Sequence, residues 1–263
     1  MTARRAIARA RRPVRPSAVE LRVRDGVAWM TLARPAAGNR LDAEMLGALV
    51  ETCGAAEDAE EVRVVVLAAR GTFFSAGLPD GCGWPEESWP DGLGAAAGLT
   101  KPVIAAIQGD ALGWGVALAL ACDLRVAATS AVLALPEVAA GRLPGGGTTQ
   151  RLVRMVGVAR ALELVLLGSR LPAARAAEWG LVSAAVAPAR LAATVAETAR
   201  VLAERGPIAL RLAKEAVVRA LDLPLGEGIR VEQDLYVLLQ TTADRQEGIS
   251  AFLDKRPPRF GGR

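Results

Sequence analysis

The 263-residue chain has no histidine, one tyrosine, four phenylalanines and only three lysines. The missing histidine rules out Ser-His-Asp and Cys-His catalysis, histidine-ligated zinc or haem, and imidazole as an acid or base. Proton transfer is left to carboxylates, lysine, cysteine or the single Tyr236. The three cysteines, Cys53, Cys82 and Cys122, lack the spacing of a metal site. An odd count with no secretory signal reads as reduced thiols, so a cytoplasmic setting is expected. Long apolar runs are missing too. The longest, 103–122, is interrupted by Gln108, Gly109 and Asp110, and a spanning helix needs roughly 20 apolar residues. No membrane segment is expected.

Basic charge is present but unevenly placed. Residues 1–16 hold six arginines (Arg4, Arg5, Arg9, Arg11, Arg12, Arg15) and no acid, so the formal charge of +4 becomes −2 without them. Such an arm can bind nucleic acid or serve as an organellar leader. The expectation here is a disordered, solvated tail. Arginine dominates lysine along the whole chain, and nucleic acid is not expected as a partner.

Apolar periodicity then organises the rest. Residues 19–24 and 27–32 are β-rich runs joined by Asp25-Gly26, a hairpin signal. Asp42 is placed to cap a helix reaching Asp58. Strands are expected at 62–68, 102–107, 124–127 and 132–134, with a helix at 113–121. Strand, helix, strand order implies parallel pairing through crossovers. Beyond Thr148 the pattern turns helical, at 149–155, 159–167, 172–179, 188–205, 207–220, 224–239 and 244–254, interrupted by a strand at 181–186. The expected division is a tail at 1–16, an α/β core at 17–200 and a helical region at 201–263.

Two turns carry the chemistry. Residues 105–127 run from a strand through a glycine-rich turn into a helix. That arrangement directs backbone N–H groups and the positive end of a helix into a cleft, where they can hold a developing oxyanion. The glycine spacing is neither that of a dinucleotide fingerprint nor that of a P-loop. A second turn, Ser75-Ala76-Gly77-Leu78, follows the strand at 62–68 and can offer another N–H to the same oxygen.

The order of these pieces resembles the enoyl-CoA hydratase/isomerase (crotonase) superfamily. The resemblance rests on Phe74-Ser75-Ala76-Gly77, on 101–106 (KPVIAA), on Ala111-Leu112-Gly113 and on Cys122-Asp123 with Arg125. It continues through Leu135-Pro136-Glu137, 144–152 (PGGGTTQRL), 173–182 and the terminal stretch around 247–256. It spans about residues 19–260. It implies an α/β spiral of ββα units followed by a helical trimerisation region, with a homotrimer or hexamer as the assembly. It implies an acyl-CoA substrate and no cofactor, CoA being part of the substrate. By the same resemblance Leu78 and Trp114 supply the oxyanion N–H groups and Glu137 is the catalytic acid/base. Ala76, Leu78, Asp80 and Gly113 contact the substrate, and Lys255 reaches the CoA phosphates, if necessary across a subunit boundary.

Three departures refine that expectation. Trp114 stands where relatives carry glycine, and is strained if the position needs positive φ. Ala117 stands where family hydratases carry a second glutamate. One remaining carboxylate can take a proton from one carbon and return it to another, which is a double-bond shift rather than hydration. Last, the segment between Gly77 and Lys101 is short and carries Trp84, Pro85, Trp89 and Pro90, which either wall the acyl pocket or serve as ordinary core. Isomerisation of an enoyl-CoA is the leading expectation. The alternatives are a hydratase with an altered site and a non-catalytic CoA-binding subunit; a decarboxylase or thioesterase is also compatible with an enolate site. Dehalogenation is set aside because its nucleophilic carboxylate would fall at Gly145.

Overall fold

The computed structural model describes residues 17–82 and 88–263. The tail at 1–16, and Trp84 and Pro85, lie outside the described residues. The chain opens with β1 (Val19–Arg24) and β2 (Val27–Leu32), paired antiparallel about Asp25-Gly26. Both turn residues have positive φ, 52° and 75°, as a two-residue hairpin of the primed type requires. Helix α1 (Ala43–Asp58) follows, its first turn capped by Asp42 accepting from Met45 N at 2.9 Å.

The chain then repeats one plan of long strand, short strand and helix. The first turn is β3 (Val64–Ala69), β4 (Phe73–Ser75) and α2 (Gly92–Ala97). The second is β5 (Val103–Ile107), β6 (Asp110–Leu112) and α3 (Trp114–Leu120). The third is β7 (Leu124–Ala128), β8 (Val132–Ala134) and α4 (Thr148–Leu167). After β9 (Leu171–Pro172), α5 (Ala173–Glu178) and β10 (Ala184–Val186) come the helices α6 (Pro188–Ala203), α7 (Pro207–Arg219), α8 (Leu225–Gln240) and α9 (Ala243–Leu253).

The long strands form a six-stranded sheet in the order β1-β2-β3-β5-β7-β10, and the short ones a four-stranded sheet, β4-β6-β8-β9. Pairing is parallel except at β1/β2 and β8/β9. The large sheet is buried on both faces, which explains the unbroken apolar runs of β3 and β5. Val64, Val66, Ile104 and Ala106 pack with Leu191, Val195 and Ala199 of α6. Their neighbours Val65, Leu67, Val103, Ala105 and Ile107 face the opposite way, into the main core with α1 and α3.

The expected pair of helices at 149–155 and 159–167 is found in α4, the two joined across a kink at Gly157, whose backbone leaves the helix at φ 79°, ψ 167°. Of the two readings of Trp89 the core one holds, since Trp89 packs against the main core. Among the described residues no helix is long and apolar enough to cross a membrane.

Candidate active site

The end of β4 and the start of α3 lie side by side because β4 and β6 pair in parallel. A buried polar network fixes the first turn. Asn39 is fully buried, and its Nδ2 donates to Arg70 O at 2.8 Å and Phe73 O at 2.9 Å. Ser75 Oγ donates to Asn39 O at 2.8 Å and accepts from Gly77 N at 3.2 Å. Gly77 itself has φ 84°, and a Cβ there would come within 2.7 Å of Leu112 O and 3.4 Å of Trp114 N. Glycine is therefore required on two counts, and it brings Leu78 against the leading end of α3.

The second turn resolves the question of Trp114. Positive φ falls on Gly113 (φ 52°, ψ −116°), while Trp114 begins the helix and has no positive φ. A tryptophan is thus accommodated without backbone strain. Gly113 is held by Gly113 N donating to Ala134 O at 2.8 Å. A Cβ at 113 would collide with Glu137 Oε1, so the carboxyl group lies directly against this turn.

Glu137 follows β8 and starts a one-turn helix, Val138–Ala140. It is 7% exposed, and its Oε2 has no hydrogen-bond partner among the described residues. Burial pushes its carboxyl above the ordinary glutamate range; its own backbone amide and the charge of Arg142 act against that rise.

A cleft of about 320 Å³ joins these groups. Ala76, Leu78, Asp80, Gly113, Trp114 and Glu137, all candidates from the sequence, line it together. Lys255 does not; it is exposed just beyond α9. Ala117 is fully buried instead. Its Cβ, Leu93 and the Trp114 ring converge around Gly146, and Ala117 is not among the residues that line the cleft.

Two arginines in the cleft were not among the sequence candidates. Arg40 donates to Leu78 O at 2.6 Å and pairs with Asp80 at 2.8 Å, steadying the turn that carries Leu78. Arg142 donates through Nη1 to Cys82 O at 2.7 Å. Neither stands in a motif that the sequence reading singled out.

Several other proton carriers are occupied or inert. Lys101 Nζ donates to Ala56 O and Ala59 O, and Lys214 Nζ to Asp123 at 2.7 Å. Burial pushes the Cys53 thiol to about 11 and the Cys122 thiol to about 12, which keeps both protonated and unreactive at neutral pH.

Comparison with known proteins gives concordant matches. The family model for enoyl-CoA hydratase/isomerase matches residues 22–263. The 2,3-dehydroadipyl-CoA hydratase of Escherichia coli (strain K12) is 40% identical over 245 residues, covering 90% of this chain and 96% of that protein. The mouse (Mus musculus) enoyl-CoA hydratase domain-containing protein 2, mitochondrial, is 39% identical over 257 residues, covering 90% and 85%. Among solved structures, the enoyl-CoA hydratase of Bacillus anthracis superposes with a TM-score of 0.87 at 37% identity, covering 93% of this chain and 99% of that one.

Proposed function

The chain belongs to the enoyl-CoA hydratase/isomerase family, and from that premise we propose that it shifts a double bond along an acyl-CoA thioester. The observation that carries this reading is one buried carboxylate, Glu137, set against the turn at Gly113, with the place of a second one taken by the buried Ala117. In the proposed step Glu137 removes a proton from C2 of a 3-enoyl-CoA. The electron pair moves into the thioester carbonyl, and the N–H groups of Leu78 and Trp114 hold the resulting oxyanion. The protonated Glu137 then returns the proton to C4, and the double bond comes to rest between C2 and C3. Nothing is gained or lost, and no cofactor is called for. The raised pKa of Glu137 suits both halves of the shuttle, since it strengthens the base and leaves a usable acid.

The CoA moiety is proposed to cross Ala76, Leu78 and Asp80, with Lys255 serving a neighbouring subunit. Residues 201–263 are proposed to be the oligomerisation region of a trimer or hexamer. The support is the exposed apolar surface of α8 and α9, where Leu225, Tyr236, Val237, Phe252 and Leu253 stand in solvent.

Hydration of a 2-enoyl-CoA is the second reading, favoured by the names of the relatives. Parallel assays of a 3-enoyl-CoA and a 2-enoyl-CoA decide between them. The proposal expects faster isomerisation than hydration; faster hydration reverses it. Binding of CoA esters without turnover of either would make the chain a non-catalytic member.

A further inference from the structure

Two inward-reaching arginines, the buried Arg125 and the half-buried Arg63, are satisfied by carbonyl groups. Arg125 donates through Nε to Leu181 O at 2.7 Å and through Nη1 to Cys122 O at 2.5 Å. Arg63 donates to Ala203 O and Phe260 O, at 3.1 Å and 2.6 Å. Arg142 differs. Its guanidinium makes one hydrogen bond to the described residues, from Nη1 to Cys82 O, and its Nε is buried with no acceptor among them. Leaving a buried donor unmet is destabilising, the more so in a charged group, so a purely structural arginine would be expected to resolve it.

The charges around Arg142 sharpen the point. Of the four charged side chains that line the cleft among the described residues, Arg40 is neutralised by Asp80. Glu137 feels the charge of Arg142 but forms no ion pair with it. Arg142 therefore lines the cleft as a cation with no carboxylate in contact among the described residues. Its anchored Nη1 leaves the opposite edge, Nε–H and Nη2–H, which is the edge that grips a carboxylate side-on.

Resting on the reading of the cleft as an acyl-CoA site, we propose that the Nε/Nη2 edge of Arg142 binds a carboxylate carried by the acyl group, which makes the preferred substrate a CoA thioester of a dicarboxylic acid. The phosphates of CoA are the other anions such a ligand brings. They are separated from the thioester by the whole pantetheine arm, whereas Arg142 stands beside Glu137, its N donating to Glu137 O at 2.8 Å.

Binding rather than turnover tests this, so that its failure is distinct from failure of the proposed reaction. Adipyl-CoA and hexanoyl-CoA have equal carbon counts and differ in the terminal acid. Titration calorimetry of the wild type is expected to give roughly 10-fold or tighter binding of adipyl-CoA. Arg142→Gln is expected to erase that preference, and Arg142→Lys to retain part of it by keeping the charge without the fork. The corresponding pantetheine thioesters, which lack the nucleotide phosphates, are expected to show the same preference. Equal wild-type affinities would overturn the inference, as would a preference that survives Arg142→Gln. A loss in Arg142→Gln that is equal for both CoA esters and absent with both pantetheine esters would assign Arg142 to the phosphates, and overturn it too. A clear preference for adipyl-CoA in a protein that turns over no enoyl-CoA would leave this inference standing and reject the proposed reaction.

Discussion

Helices α3 and α8 are both rich in apolar residues and are put to opposite uses. In α3 six of seven residues are buried, from Gly115 to Leu120. In α8 none of the sixteen is, and Leu225 is 80% exposed. The surroundings of α3 come entirely from its own chain: the parallel β4/β6 pairing, the Asn39 network and the main core. Its leading end, and with it the turn against Glu137, is fixed before any partner arrives. The apolar side chains of α8 face solvent in a single chain, which is the mark of a surface awaiting a contact. Under the proposed function, catalytic geometry belongs to α3 and assembly to α8, and each can be broken without the other.

The largest effect is expected at the α3 end. Gly77→Val would drive a β-branched side chain toward Leu112 O at a positive-φ position. Leu78 would leave its place beside Trp114, and loss of one oxyanion donor lowers turnover by roughly 10²-fold or more. Steady-state kinetics with light scattering on the same sample should show activity lost and mass unchanged. Full activity would mean that the two turns do not act together. The converse break is at α8. Val237→Arg with Leu238→Arg places charge on its exposed apolar surface and should reduce the particle mass to that of one chain at micromolar concentration. An unchanged mass would remove α8 from the interface.

Smaller effects sharpen the account of Glu137. As a base it must be ionised, so kcat/KM should fall as pH drops through a midpoint above the ordinary glutamate value. Arg142 lowers that value in the wild type, so Arg142→Gln should move the midpoint upward. A midpoint unmoved, or moved down, would show that Arg142 exerts no field on Glu137. Stability carries the same signature. A carboxyl whose pKa is raised by folding contributes stability below its unfolded pKa and loses it as pH rises through the folded value. Glu137→Gln should therefore melt above the wild type at neutral pH and match it in acid. Equal melting temperatures at both pH values would deny that Glu137 is desolvated.

Much of this division was legible in the sequence, for identifiable reasons. Asp25-Gly26 defines the first hairpin to the residue, and Asp42 marks the start of α1. The turns at Gly77 and Gly113 were expected at strand ends and are found there. The short strands β4 and β6 were not, because three residues are too few to show a period of two. The strain expected at Trp114 is absent because the left-handed backbone falls one residue earlier, at Gly113. Arg40 and Arg142 escaped notice because their importance lies in what faces them across the cleft. Local spacing does not encode those neighbours, and tertiary packing does.

The most direct test of the central claim is turnover of a 3-enoyl-CoA by Glu137→Gln, with affinity for a saturated acyl-CoA measured on the same protein. Gln has nearly the shape of Glu and cannot shuttle a proton. The account predicts that affinity persists while isomerisation falls by roughly 10²-fold or more. Undiminished isomerisation by Glu137→Gln would contradict it.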